Sequence, residues 1–149
     1  MTSEVARTLV DHARRAAAKA HAPYSGFGVG AALLLADGRI ISGCNFENAS
    51  YGLTLCAETV ALGTANAEGQ LRAVREIAII GGKIVDGEIV GADPVRPCGR
   101  CRQVINEAAG LSGHDIIVHC ASADGSVVER HSLSSLLPHA FGPADLGLA

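Results

Sequence analysis

Aromatic side chains are nearly absent: three Phe, two Tyr and no Trp occur in 149 residues. No run of Lys and Arg is present either, and the net charge is −3. Proteins that track polynucleotides combine a basic groove with aromatic platforms for the bases. With neither in the sequence, no nucleic-acid partner is expected; Arg96, Arg100 and Arg102 form the one basic cluster, too small for a groove. Also lacking is any apolar run of the ~18–20 residues that would span a membrane. The opening Met1-Thr2-Ser3-Glu4 has neither the basic nor the apolar segment of a secretory leader. There is no internal repeat, linker or low-complexity stretch. These absences predict a cytoplasmic protein with no membrane partner, acting on a free small molecule, folded as one domain over residues 1–149.

What is abundant is glycine, at 18 residues, within a composition that is 48% hydrophobic. That mixture suits an α/β fold with tight turns. Residues 3–20 read as an amphipathic helix capped by Ser3, with Val5, Leu9, Ala13, Ala16 and Ala20 at helical spacing. Val29 to Leu35 and Arg39 to Cys44 read as strands joined at Asp37-Gly38. Thr54 is placed to cap a helix from about Cys56 to Ala67. A buried strand follows at Ile77 to Ile80. Gly81 to Val95 is then broken by Gly81, Gly82, Gly87, Gly91 and Pro94, with room for a small hairpin at Lys83 to Val90. Pro97 suits the entry of a helix that runs to about Ala109. Ile116 to Cys120 and Val127 to Arg130 form a last strand pair turned at Asp124-Gly125. Ser132 or Ser134 caps a short helix that Pro138 stops. The order predicts a five-stranded mixed sheet, antiparallel at the hairpins and parallel at the helical crossovers.

Chemistry concentrates in Cys56-Ala57-Glu58 and in Pro97-Cys98-Gly99-Arg100-Cys101. Five cysteines is an odd number, and a Cys-x-x-Cys in a chain without a leader favours metal over disulfide. Cys98 and Cys101 share one face of a first helical turn. Cys56 lies at another helix start, and the partial positive charge of both helix ends favours thiolates. Zinc with three protein ligands keeps a fourth position for water, and a carboxylate that is not a ligand, here Glu58, can shuttle protons. The competing possibility is a closed four-thiol staple recruiting Cys44 or Cys120; it would leave Glu58 without a task. None of the six histidines, His12, His21, His114, His119, His131 and His139, has ligand spacing, and surface or packing roles are expected. Asn45 and Glu47 alternate along an extended segment and point the same way. Their amide and carboxylate suit a vicinal diol, although an Asx turn beside a solvated Glu would read the same.

Cys-x-Glu followed by Pro-Cys-x-x-Cys resembles the zinc deaminase signature. The likeness extends to Pro23-Tyr24-Ser25-Gly26-Phe27, Val29-Gly30-Ala31-Ala32, Gly43 to Gly52, Pro97 to Gln103 and Leu136 to Gly142. Taken together, residues 7–146 resemble the small cytidine deaminases. The resemblance implies a three-layer α/β/α fold, zinc on Cys56, Cys98 and Cys101, and Glu58 as proton shuttle in the hydrolytic deamination of cytidine and 2'-deoxycytidine. It implies that Asn45 and Glu47 hold the ribose and that backbone groups near Ala57 and Cys98 orient the pyrimidine. Phe27 and Phe141 would surround the substrate. It further implies a homotetramer with shared sites, in which Ala49, Tyr51 and Phe141 act across subunits.

One position departs from the common pattern. Cys-Ala-Glu is usually followed by Arg, and here by Thr59. Three thiolates on a divalent ion leave an excess negative charge that neighbouring donors must drain. Arg100, between two of the ligands, is the expected substitute, while Arg102 is expected to point away from them. Blasticidin S deaminases share the non-Arg residue and the Pro-Cys-Gly-Arg-Cys-Arg-Gln run. A deaminase of a modified cytosine nucleoside is therefore the alternative enzyme, and a non-catalytic zinc-binding module the alternative of another class.

Overall fold

The computed structural model describes residues 2–148. Helix α1 spans Glu4–Ala17, and the Ser3 hydroxyl caps it by accepting from the Ala6 N–H at 3.1 Å. Its buried stripe is Ala6, Leu9, Val10, Ala13 and Ala17. The expected row was rotated: Val5 is exposed, and Ala16 and Ala20 are partly so. The observed stripe places small side chains against the sheet, so the helix can approach closely. At Gly30 a Cβ would overlap the Ala13 carbonyl, and only glycine admits that contact.

Six strands are described, where the sequence led us to expect five: β1 (Phe27–Leu35), β2 (Ile40–Cys44), β3 (Val74–Val85), β4 (Glu88–Val90), β5 (Ile117–Ala121) and β6 (Val128–Ser132). The sheet order is β2-β1-β3-β5-β6, with β4 on the far end of β3. The extra strand comes from Gly81 and Gly82, which do not break the chain. β3 continues through both and turns at Asp86-Gly87, whose φ values of 50° and 80° fit a tight two-residue hairpin. Lys83 pairs with Val90, so the small hairpin anticipated there exists. A Cβ on Gly82 would lie 2.2 Å from the Val90 carbonyl oxygen, so this glycine permits close backbone approach.

The hairpin pairs β1·β2 and β5·β6 are antiparallel and β3·β5 is parallel, as expected. The pairing of β1 with β3 is antiparallel, which the crossover argument did not anticipate. The remaining helices are α2 (Ala57–Ala67), α3 (Gly99–Ser112) and the short α4 (Leu133–Leu136). Helix α2 does connect two strands of the same direction, β2 and β3, but β1 lies between them.

The helices cover both faces. Leu9, Val10, Ala13 and Ala17 of α1 pack on Ala32, Ala78, Ile80 and Ala121. On the opposite face Ala61, Leu62, Ile105 and Ala108 of α2 and α3 pack on Leu33, Ile77, Ile79, Val118 and Cys120. The alternation of side chains along each strand separates these two cores. The result is the expected helix–sheet–helix arrangement, with α2 and α3 side by side on one face. Among the described residues no helix is long and apolar enough to cross a membrane.

Candidate active site

Helices α2 and α3 begin near one another, and each begins at a cysteine. Cys56 and Cys98 are the N-caps, both with extended backbone. Thr54 was expected to cap α2, and it does not. The N–H and C=O of Leu55 both pair with Phe46 at 2.9 Å, which keeps the chain extended as far as Cys56. Thr54 instead closes the one-turn helix Tyr51–Leu53, and its hydroxyl accepts from the Asn48 N–H at 3.2 Å. Helix α2 sits low on the sheet because Gly43 makes room: a Cβ there would lie 2.7 Å from the Ala61 nitrogen.

This geometry brings together Cys56, Cys98 and Cys101, with all three sulfurs within 4.8 Å of one another. Cys56 and Cys98 are 4.0 Å apart. Tetrahedral zinc with Zn–S bonds of about 2.3 Å would set sulfurs about 3.8 Å apart, so the donor set fits the ion in number, softness and spacing. Cys44 and Cys120 stand outside the cluster, and Cys120 belongs to the core. The closed four-thiol staple is therefore not what the described residues form. Burial is graded across the three ligands: Cys98 is exposed, Cys56 half-buried and Cys101 fully buried. Hydrogen bonding from the Cys101 thiol, then from Cys98, pulls Cys56 down to about 6, with a smaller contribution from the Arg100 charge.

Glu58 is 4% exposed. Burial, with the nearby Cys56 charge adding to it, pushes its carboxyl above the usual range. It lines a cleft of about 180 Å³ together with Val29, Asn45, Leu55, Ala57 and Cys98. A buried carboxyl beside a thiol cluster in a small cleft is the arrangement expected of a proton carrier.

Asn45 and Glu47 do face the same way, toward residues 24–29, but both are already engaged. The Asn45 carboxamide accepts from the Val29 N–H at 2.8 Å and donates to the Phe27 carbonyl at 2.9 Å. Glu47 accepts from the N–H groups of Tyr24 and Ser25 and from the Ser25 hydroxyl. That hydroxyl, then the N–H groups, hold its carboxyl below the usual range. Both residues are buried, so the solvated-Glu alternative does not describe Glu47. Phe27 is half-buried and, two residues before Val29 on β1, shares its face of the sheet.

Ala49, Tyr51 and Phe141 are exposed and are not among the residues lining the cleft. Tyr51 leans on Tyr24, ring centroids 5.6 Å apart. The Phe141 carbonyl accepts from Gln103 at 2.8 Å and Asn106 at 3.3 Å, so its backbone is fixed to α3 while its ring is 58% exposed.

Arg100 is exposed and makes no hydrogen bond to a sulfur among the described residues. Arg102 likewise makes no hydrogen bond to a sulfur among the described residues; it donates to the Pro97 carbonyl at 2.7 Å and the Leu136 carbonyl at 2.9 Å. Two residues that the sequence singled out have contacts at the site that it did not foresee. Arg96 lines the cleft and is gripped by both oxygens of Glu129, at 3.0 and 2.6 Å; nothing in the sequence links positions 96 and 129. Thr59, treated as a loss of charge, places its hydroxyl 3.8 Å from the Cys101 sulfur.

A helix–sheet–helix fold that presents three thiols from two helix N-termini, with a buried carboxyl alongside, defines a zinc enzyme of the mononuclear type. The model of the family described as the cytidine and deoxycytidylate deaminase zinc-binding region matches residues 3–117, and the chain belongs to that family. It is 45% identical over 141 residues to a cytidine deaminase of Halalkalibacterium halodurans, covering 93% of this chain and 95% of that one. It is 43% identical over 138 residues to a cytidine deaminase of Mycobacterium tuberculosis, covering 93% and 90%. The crystal structure of cytidine deaminase from Burkholderia pseudomallei superposes with a TM-score of 0.79 at 41% identity, over 95% of this chain and 100% of that one.

Proposed function

We propose that this chain hydrolytically deaminates cytidine and 2'-deoxycytidine, with zinc held by Cys56, Cys98 and Cys101 and with Glu58 as the proton carrier. The observation that carries the proposal is the convergence of three sulfurs within 4.8 Å beside a carboxyl that is 4% exposed. Bound at these sulfurs, zinc supplies the Lewis acidity that lets water act as a nucleophile near neutral pH. Glu58 accepts a proton from the attacking water as oxygen adds to the ring carbon bearing the amine. It returns that proton to the adjacent ring nitrogen, then carries the second to the departing amine, so that ammonia leaves and a carbonyl remains. A raised pKa suits a carboxyl that must hold a proton between two donations.

Phe27 and the backbone near Ala57 and Cys98 orient the pyrimidine. Asn45 and Glu47 offer the ribose hydroxyls what their internal hydrogen bonds leave free: one amide hydrogen and the unused carboxylate lone pairs. Those internal bonds hold both groups in place before substrate arrives. Arg100 adds positive potential beside the sulfurs.

The working form is a homotetramer in which Ala49, Tyr51 and Phe141 reach a neighbour's site, and the whole chain acts as one domain in the cytoplasm. What supports the assembly is the exposure of Tyr51 at 73%, Leu53 at 65% and Phe141 at 58%. An open groove of about 780 Å³ lined in part by Phe46, Leu55 and Val60 runs beside the site. Five free thiols support a reducing compartment. The test is a panel of cytosine nucleosides assayed for ammonia release, alongside metal analysis. Turnover of cytidine with stoichiometric zinc is expected. Zinc without turnover of any nucleoside would leave a binding module in its place.

A further inference from the structure

Buried sulfur ligands differ from exposed ones in where their hydrogen bonds come from. Cys98 is exposed and Cys56 partly so, and water can donate to both. Cys101 is fully buried, so any donor to its sulfur must belong to the protein. Arg100 does not reach it. The Thr59 hydroxyl does, at 3.8 Å, within the hydrogen-bond range of sulfur.

The local backbone explains why this hydroxyl is available. Threonine in a helix ordinarily bonds back to the carbonyl four residues earlier. Thr8 does so to Glu4 at 3.0 Å, and Thr64 to Val60 at 2.8 Å. Four residues before Thr59 is Leu55, which lies ahead of the helix and whose carbonyl already accepts from the Phe46 N–H. With the carbonyl four residues back outside the helix and already engaged, the hydroxyl bonds to Cys101 on α3 instead.

We propose that Thr59 is a positioning residue of the metal centre, its hydroxyl donating to the Cys101 thiolate and drawing charge from the one ligand that water cannot serve. The proposal rests on the zinc reading above. It divides the charge compensation in two: a short-range, directional bond from Thr59 and a long-range, screenable field from Arg100.

The test compares the parent protein with Thr59→Val, which keeps the shape and loses the hydroxyl, and with Thr59→Ser, which keeps the hydroxyl. Zinc affinity is measured by competition with a chromophoric chelator, and cobalt(II)-substituted protein reports the thiolate-to-metal charge-transfer band. Thr59→Val should weaken zinc binding about tenfold, the low end of the 10–100-fold seen when partners of metal ligands are removed. It should also move the cobalt band to longer wavelength, because an unbonded thiolate gives up its electron more easily. Thr59→Ser should follow the parent in both. Arg100→Ala should weaken zinc binding at low salt, and that deficit should vanish near 1 M salt, where the screening length is about 3 Å; the Thr59→Val deficit should persist. If Thr59→Val folds poorly, Thr59→Ala serves in its place. Parent-like zinc affinity and an unmoved cobalt band in the variant lacking the hydroxyl overturn the proposal. A parent that holds no zinc overturns the metal reading itself, a separate and recognisable result.

Discussion

Asn45 offers a quantitative test of how the cleft is held. Its side chain spans the start of β1, accepting from Val29 and donating to the Phe27 carbonyl, while its own N–H donates to the Val29 carbonyl at 3.2 Å. Asn45→Ala keeps the last bond and removes the other two. Each lost bond is worth about 1 kcal/mol net if water can reach the freed groups, and about 1–3 kcal/mol if it cannot. Asn45 is 8% exposed but borders the cleft, so the wetter value applies and the loss should total about 2 kcal/mol. At the size of this chain 1 kcal/mol shifts Tm by about 2–4 °C, giving an expected fall of about 4–8 °C. Asn45→Asp should cost more, since it keeps the acceptor for Val29 but turns a carboxylate oxygen toward the Phe27 carbonyl. Thermal melts at pH 7 measure both. With the side-chain bridge to Phe27 and Val29 gone, KM for cytidine should rise as well. A fall in Tm below about 2 °C for Asn45→Ala would show that the strand pairing alone positions this edge, and the bridging role would be withdrawn.

Other outcomes follow from the same geometry. Glu58→Gln should retain zinc and lose about 10²–10⁴-fold in turnover, the usual contribution of a positioned acid–base group; a loss under tenfold would remove Glu58 from that role. Glu47 is held below its ordinary value of 4.5, chiefly by the Ser25 hydroxyl. The stability it contributes is therefore present above that value and is lost as pH falls through the lowered one. The Tm gap between parent and Glu47→Gln should accordingly be full at pH 7 and shrink in acid, whereas a gap constant down to pH 3 would show that charge is not what Ser25 and Tyr24 recognise. Mixing inactive Glu58→Gln subunits with inactive Phe141→Ala subunits should restore some activity if sites are shared, and none, after verified exchange, if Phe141 serves its own subunit. Single-stranded oligonucleotides should not be deaminated at physiological salt, and detectable editing would contradict the small-substrate reading.

Order along the chain was enough to single out the three thiols that the fold brings together. Cys98 and Cys101 are legible because metal ligation demands thiols at short spacing, Cys56 and Glu58 because a thiol and a carboxylate stand together at a helix start, and helix starts next to Pro97 and Cys56 are local events. The strands at Val29 to Leu35 and Ile116 to Cys120, and the Ser3 cap, were likewise visible, since periodicity and capping involve only near neighbours. The tertiary structure decided what depends on contacts between distant segments. Gly81 and Gly82 look like breakers in one dimension and prove to be strand, because Val29 and Gly28 of β1 pair with them. Which face of α1 is buried was set by its packing on the sheet, where both Ala13 and Ala17 come close to Gly30. Thr54 lost the cap to Cys56 because Leu55 pairs with Phe46. Asn45 and Glu47 were identified as polar groups facing one way, but only the fold shows how far the 24–29 segment occupies them. Thr59 is the clearest case: in the sequence it is a missing positive charge, and in the fold it is a hydroxyl aimed at a buried sulfur 42 positions away. Residue type determines which bonds can form, and packing determines which partner is within reach.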